Sequence, residues 1–133
     1  MAVINSARFD FREVVNKILH EYQFEATEEL FEAVDEVSKE TVKRLRAESK
    51  KAYPNSKKYH AGWIRTVEKG RLRRGYIIHG KTADTYALAH LLENGHAKRN
   101  GGRVQGRTHI ATVNDWAQDE AFDRVIAKLS GDA

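Results

Sequence analysis

The sequence predicts an α+β domain, an antiparallel sheet built around one β-hairpin and packed by two N-terminal helices, a short middle helix and a C-terminal helix. Three observations point there. Apolar residues recur every three to four positions through the N-terminal part, two strand-like runs then flank a Glu-Lys-Gly-Arg turn, and helical apolar stripes return near the C-terminus. At 133 residues the chain suits a single domain, 1–133, with one core.

Phe11, Val14, Val15, Ile18, Leu19 and Tyr22 fall at i, i+3, i+4, i+7, i+8 and i+11, one stripe of an amphipathic helix over residues 10–22. After a break at 23–26, Thr27 is placed to cap a second helix, with Glu28 and Glu29 against the positive end of its dipole. Leu30, Val34, Val37, Thr41 and Leu45 hold the helical period to about residue 50, and Lys43, Arg44, Arg46, Lys50 and Lys51 load the C-terminal end with the cations it favours. Pro54, the only proline, disfavours helix at the residue before it, so AYPNSKK, 52–58, reads as a flexible loop.

Strand runs at 59–67 and 72–80 surround the turn, with Gly70 supplying the positive φ. Trp63, Arg65 and Val67 share one face of the first run, Ile64 and Thr66 the other. Asp84 is then a suitable N-cap for the short helix TYALAHLLEN, with Tyr86 or Ala87, Leu88, Leu91 and Leu92 inward and Gly95 as its left-handed stop. Residues 96–109 show no periodicity, and a long loop inside a compact domain is usually functional, disordered or ordered by a neighbour. Thr112 or Asn114 caps a last helix carrying Trp116, Phe122, Val125, Ile126 and Leu129 on one face, with Gly131 at its end. A third strand is expected near Lys81 or in the extended piece 108–111.

Composition removes whole classes of chemistry. Without cysteine there is no disulfide, thiolate zinc site or thiol nucleophile. No run approaches the roughly eighteen apolar residues of a membrane helix, and MAVINSARFDFREVV lacks a signal-peptide core, so a soluble chain made in the cytosol is expected. The net charge of +4, from 23 Lys+Arg against 19 Asp+Glu, is unevenly spread. Residues 39–74 are basic and 21–36 acidic, a pattern that marks a partner-facing surface or simply solvated helix flanks.

Residues 90–110, HLLENGHAKRNGGRVQGRTHI, crowd three histidines, Glu93, Lys98, Arg99, Arg103, Arg107 and a Gly-Gly pair into one segment. A metal site needs converging ligands, yet Gly95 ends the helix between His90 and His96, so bringing His109 onto the same ion depends on the loop alone. His90 reads equally as a partly buried ring bonded to a backbone carbonyl. Glu93, Asp84 and Asp115 form no catalytic spacing and no nucleophile elbow is present, and the NGGR glycines lack phosphate-loop spacing. Lys98, Arg99, Arg103 and Arg107, with Arg71, Arg73 and Arg74 on the hairpin, could neutralise phosphates, although no aromatics are interleaved; a solvated basic loop explains them as well.

Read together, Leu88, His90, Leu91, Leu92, Glu93, Gly95, His96, Ala97, Lys98, Arg99, Gly101, Gly102, Arg103 and Val104, then His109 and Ile110, fit a pattern L-x-H-L-L-E-x-G-H-A-K-R-x-G-G-R-V followed by a P-H-I-x-P-like segment and a helix. This resembles the family of small siphophage proteins named after gene ten of a lambdoid phage, called minor tail component, tail-completion or neck protein. The match covers residues 86–110; Thr108 and Thr112 stand where the family often has proline.

The resemblance implies a non-enzymatic virion protein, made in the bacterial cytoplasm and placed at the head–tail junction. Its copies would join into or onto a ring beside connector and tail proteins, where DNA passes. It implies no cofactor, metal, membrane or small-molecule substrate. Glu93, His96, Lys98, Arg99, Gly101, Gly102, Arg103, Arg107 and His109 become a partner-facing loop, with Glu93 and Arg99 or Arg103 in intersubunit salt bridges and His96 and His109 fixing the loop's ends. Arg71, Arg73 and Arg74 become a DNA- or partner-facing hairpin, and Leu88, Leu91, Leu92, Trp116, Phe122 and Leu129 core. A small basic nucleic-acid-binding protein stands as the alternative.

Overall fold

The structure, a computed structural model, describes residues 8–23, 25–70 and 74–130, and of Ala83, Asp84, Tyr86 and Ala87 the backbone only. Strand β1 (Arg8–Asp10) leads into helix α1 (Phe11–Tyr22), where the Asp10 side chain accepts the Arg12 backbone N–H at 3.0 Å as N-cap. Gln23, in the left-handed region at φ 53°, ends α1. Helix α2 (Glu28–Ala52) starts at the expected cap, Thr27 Oγ1 accepting from Leu30 N–H at 3.2 Å. Its stripe of Leu30, Val34, Val37, Thr41 and Leu45 is buried.

The break at Pro54 is shorter than the 52–58 loop expected. Tyr53 N–H bonds Ser49 C=O at 2.8 Å to close α2, and residues 57 and 58 already belong to a helical turn, α3 (Lys57–His60). That turn drives the Tyr59 ring into the core, so strand β2 (Trp63–Lys69) begins later than residue 59. Strand β3 (Arg74–Gly80) pairs with it antiparallel, Trp63 opposite Gly80 and Lys69 opposite Arg74. The turn residues 71–73, including Arg71, Leu72 and Arg73, lie outside the described residues, as does Gly131.

The third strand is neither near Lys81 nor in 108–111: it is β1, antiparallel to β3 with Phe9 opposite Ile78, giving the order β1-β3-β2. Three residues carry too little alternation to announce a strand. Phe9, Trp63, Tyr76 and Ile78 form the inner face and join Phe11, Ile18, Leu30 and Val34 in one core. Burying a side chain of that size stabilises by roughly 1.5–3 kcal/mol. Arg65, on the same face of β2, reaches Asp35 and the Ser38 hydroxyl of α2, the latter at 3.1 Å, so its charge is matched where it is half-buried.

Helix α4 (Ala83–Asn94) is capped by Thr82, whose hydroxyl accepts from Thr85 N–H at 3.3 Å, and not by Asp84. Its buried stripe is Thr85, Ala89 and, partly, Leu92. Leu88 and Leu91, expected in the core, are 42% and 39% exposed. A two-stranded ribbon, β4 (Gly95–Ala97) and β5 (Arg103–Gln105), occupies the segment that showed no periodicity. Helix α5 (Ile110–Leu129) starts before Thr112 and Asn114 and lies along α2, with Val113, Ala117, Ala121 and Val125 buried and Trp116, Phe122 and Leu129 packed at the edge. Arg44 of α2 stacks on Trp116, 3.8 Å above its ring. Among the described residues no helix is long and apolar enough to cross a membrane.

Candidate functional site

The segment singled out in the sequence divides into a buried base and an exposed arm. The base begins with α5, whose first backbone N–H groups have no helical partner. Its N-cap position, His109, makes no side-chain cap. The carboxylate of Glu93, near the end of α4, does that work: Oε1 accepts from His109 N–H at 2.7 Å and Ile110 N–H at 2.8 Å, and Oε2 from Ala111 N–H at 3.0 Å. A negative charge against the positive end of a helix dipole adds to those three bonds.

His109 locks the same corner. Its ring is 1% exposed, with Nδ1 2.6 Å from the Arg107 carbonyl oxygen and 3.1 Å from Glu93 Oε1, and Nε2 2.5 Å from the Tyr59 hydroxyl. Both neighbours of Nδ1 are acceptors, so Nδ1 donates, and Nε2 shares its hydrogen bond with the Tyr59 hydroxyl. Burial pushes the Tyr59 phenol well above its usual range, which keeps its hydroxyl protonated. Tyr53 stacks edge-on against His109 and Tyr59, and Trp63 against Tyr59; the Trp63 indole donates to Ser49 Oγ at 3.0 Å.

The carbonyls that α4 leaves free at its end are also taken. Leu92 C=O accepts from Tyr53 O–H at 2.6 Å and Arg107 N–H at 2.9 Å, and Asn94 C=O from the Arg103 guanidinium at 2.8 Å. Arg107 extends across the Tyr53 ring to the Ala52 carbonyl that ends α2. Two glycines allow the chain to double back so tightly. A Cβ on Gly106 would sit 2.4 Å from both Glu93 O and Gly95 N, and one on Gly95, at φ 80°, 2.4 Å from Val104 O.

From this base the ribbon projects, pairing Gly95 with Gln105, His96 with Val104 and Ala97 with Arg103. Lys98, Arg99, Asn100, Gly101 and Gly102 form its tip, closed by Lys98 N–H to Gly102 C=O at 3.0 Å. Gly101 and Gly102 both have positive φ, and a Cβ on either would meet nothing within 4 Å. His96, Lys98, Arg99, Arg103, Val104 and Arg107 are exposed, and Lys98 and Arg99 have no ion-pair partner among the described residues.

The expected loop therefore splits by role. Glu93 and His109 hold the fold: the Glu93 carboxylate, expected in an intersubunit salt bridge to Arg99 or Arg103, accepts from three N–H groups of its own chain. His109 does fix one end of the loop, whereas His96 is exposed on β4. The buried histidine bonded to a backbone carbonyl is His109, not His90, which is exposed. Arg74 pairs with Glu28 and lies near the Phe31 ring, at the opposite end of α2 from the ribbon base. Sequence reasoning missed Tyr53, Tyr59 and Ser49, whose only signal was polar and aromatic residues flanking Pro54.

Chemically, Tyr59, His109 and Glu93 stand in the order of a proton relay, but the ring is sealed from solvent and the carboxylate is engaged by three N–H groups. The cluster is a clamp. Among the described residues no group of three or more His, Asp or Glu is placed to hold a metal ion. In comparison with known proteins, no family model matches the chain, and neither a curated protein nor a solved structure matches it.

Proposed function

We propose that the chain is a structural virion protein of a tailed phage or prophage, working at the head–tail junction as a neck or tail-completion component. It acts by protein–protein assembly, as a ring of copies against connector and tail proteins, and performs no catalysis. One observation carries the reading: the segment that fits the siphophage pattern is a basic ribbon standing on a buried clamp, with exposed cations and two glycines at its tip where an added Cβ would meet nothing within 4 Å. Such an arm gains partners only outside the fold, and the ordering entropy of a glycine-rich tip is offset by interactions made there.

The surface beside it supports the same reading. Leu88 and Leu91, one turn apart on α4, and Val104 on β5 are exposed apolar side chains, of the sort that anchor an interface core with cations around it. The test is genetic. In a phage that encodes the chain, deleting its gene is expected to leave filled heads and finished tails that do not join, with joining restored by the chain supplied in trans. Infectious, normally joined particles after deletion would sink the proposal.

A further inference from the structure

Independently of that reading, charge is segregated along α2. At 25 residues and about 1.5 Å per residue, the helix is roughly 37 Å long. Its first half carries Glu28, Glu29, Glu32, Glu36 and Glu40, most of them answered by Arg74, Arg124 and Lys128. Its second half carries Lys43, Arg46 and Lys50 at i, i+3 and i+7, an exposed stripe on one face. Arg46 is tied to the Trp63 carbonyl at 2.6 Å, and Lys43 and Lys50 have no ion-pair partner among the described residues. Beyond the helix end, Lys57 opens α3 and the Arg107 guanidinium lies on the Ala52 carbonyl. Of the neighbouring acids, Glu40 is paired with Arg124, Glu48 with Lys51, and Glu93 is held under α5.

We infer that this end of the molecule, Lys43, Arg46, Lys50, Lys57 and Arg107, binds the phosphate backbone of duplex DNA without reading its sequence. The cations come from the second half of α2, from α3 just beyond it, and from the segment leaving the ribbon, whose Arg107 reaches the Ala52 carbonyl at the end of α2. This differs from the set suggested by the sequence: Arg74 is neutralised at the far end, and the lysines beyond residue 43 replace it. Lys43 and Lys50 lie about 10 Å apart along the axis, a spacing that reaches successive phosphates with long flexible side chains. Among the described residues the aromatics near this end are covered, Tyr59 being buried, Tyr53 lying beneath Arg107 and Trp116 beneath Arg44, so there is no open platform for stacking unpaired bases. Nor do these residues include the apolar anchor that a protein partner or a bilayer surface would use.

The test is fluorescence anisotropy of a labelled mixed-sequence duplex titrated with the whole chain at a series of salt concentrations. Wild type is expected to bind with a steep inverse dependence on salt, and Lys43→Gln, Lys50→Gln and Lys57→Gln each to reduce the log–log slope by about 0.9, the value for one phosphate no longer neutralised. The corresponding Lys→Arg changes should keep the slope, and so should Lys98→Gln with Arg99→Gln at the ribbon tip, with circular dichroism melts showing every variant folded. Absence of duplex binding by folded wild type, a slope lost only with the tip variants, tighter binding to single strands, or a preference for anionic phosphatidylserine vesicles over duplex would each overturn the assignment.

Discussion

The Glu93 carboxylate lies 2.7 Å from the backbone nitrogen of His109 and 3.1 Å from its ring, so one side chain from α4 both caps α5 and orients the histidine that precedes it. The ribbon is the chain between these two residues. Its base is therefore tied by hydrogen bonds to the end of α4 and the start of α5, whereas an added Cβ on Gly101 or Gly102 at its tip would meet nothing within 4 Å.

Replacing Glu93 with alanine strands three helix-start N–H groups. The expected loss is about 2–3 kcal/mol in urea unfolding, from a lost cap and unsatisfied donors. Glu93→Gln retains an acceptor oxygen and should lose clearly less; equal losses would show that the charge against the dipole dominates.

Tyr59→Phe removes the hydrogen-bond partner of His109 Nε2 and changes little volume. A loss of about 1–2 kcal/mol is expected in the same measurement, the cost of leaving a buried polar atom unpaired. An unchanged midpoint would mean that the ring nitrogen finds another partner.

Gly106→Ala puts a methyl group against backbone atoms at 2.4 Å and should shift the ribbon base, lowering the melting temperature. Gly106 is the sharp comparison to Gly102, where an added Cβ meets open space and only the positive φ opposes alanine. The Gly102→Ala variant is expected to melt closer to wild type.

Acid should weaken the fold through Asp10 and Asp35. Burial alone would raise both carboxyls, but Arg12 and Arg8 beside Asp10, and Arg65 and Lys39 beside Asp35, outweigh it and hold each below its usual value. A depressed folded pKa gives stability that is fully present above the unfolded value near 4 and is lost as pH falls through the folded one. Urea midpoints measured through that acidic window should fall more steeply for wild type than for Asp35→Asn, which has less to lose.

The helices of the N-terminal half were legible because long amphipathic stripes and the Thr27 cap act locally. So was the hairpin, from its flanking apolar runs, although Glu68 and Lys69, expected in its turn, pair in β2 with Gly75 and Arg74. β1 was not, because three residues become a strand only when β3 offers an edge. Leu88 and Leu91 misled for a related reason: on a short helix rich in apolar residues, periodicity alone does not say which stripe is buried, and Thr85, Ala89 and Leu92 took that place. In the ribbon the sequence displayed glycines and cations but not the pairing, which depends on Gly106 passing the end of α4. Glu93 looked like a surface acid because the N–H groups it caps lie more than fifteen residues away in sequence.

The most direct test of the central claim is to complement the deletion phage with Lys98→Ala, Arg99→Ala at the ribbon tip and to examine particles by electron microscopy, beside thermal melts of the purified variant. The expected result is an unchanged melt together with heads and tails that fail to join. Normally joined, infectious particles, or a variant that has lost its fold, would contradict an arm built to be completed by its partners.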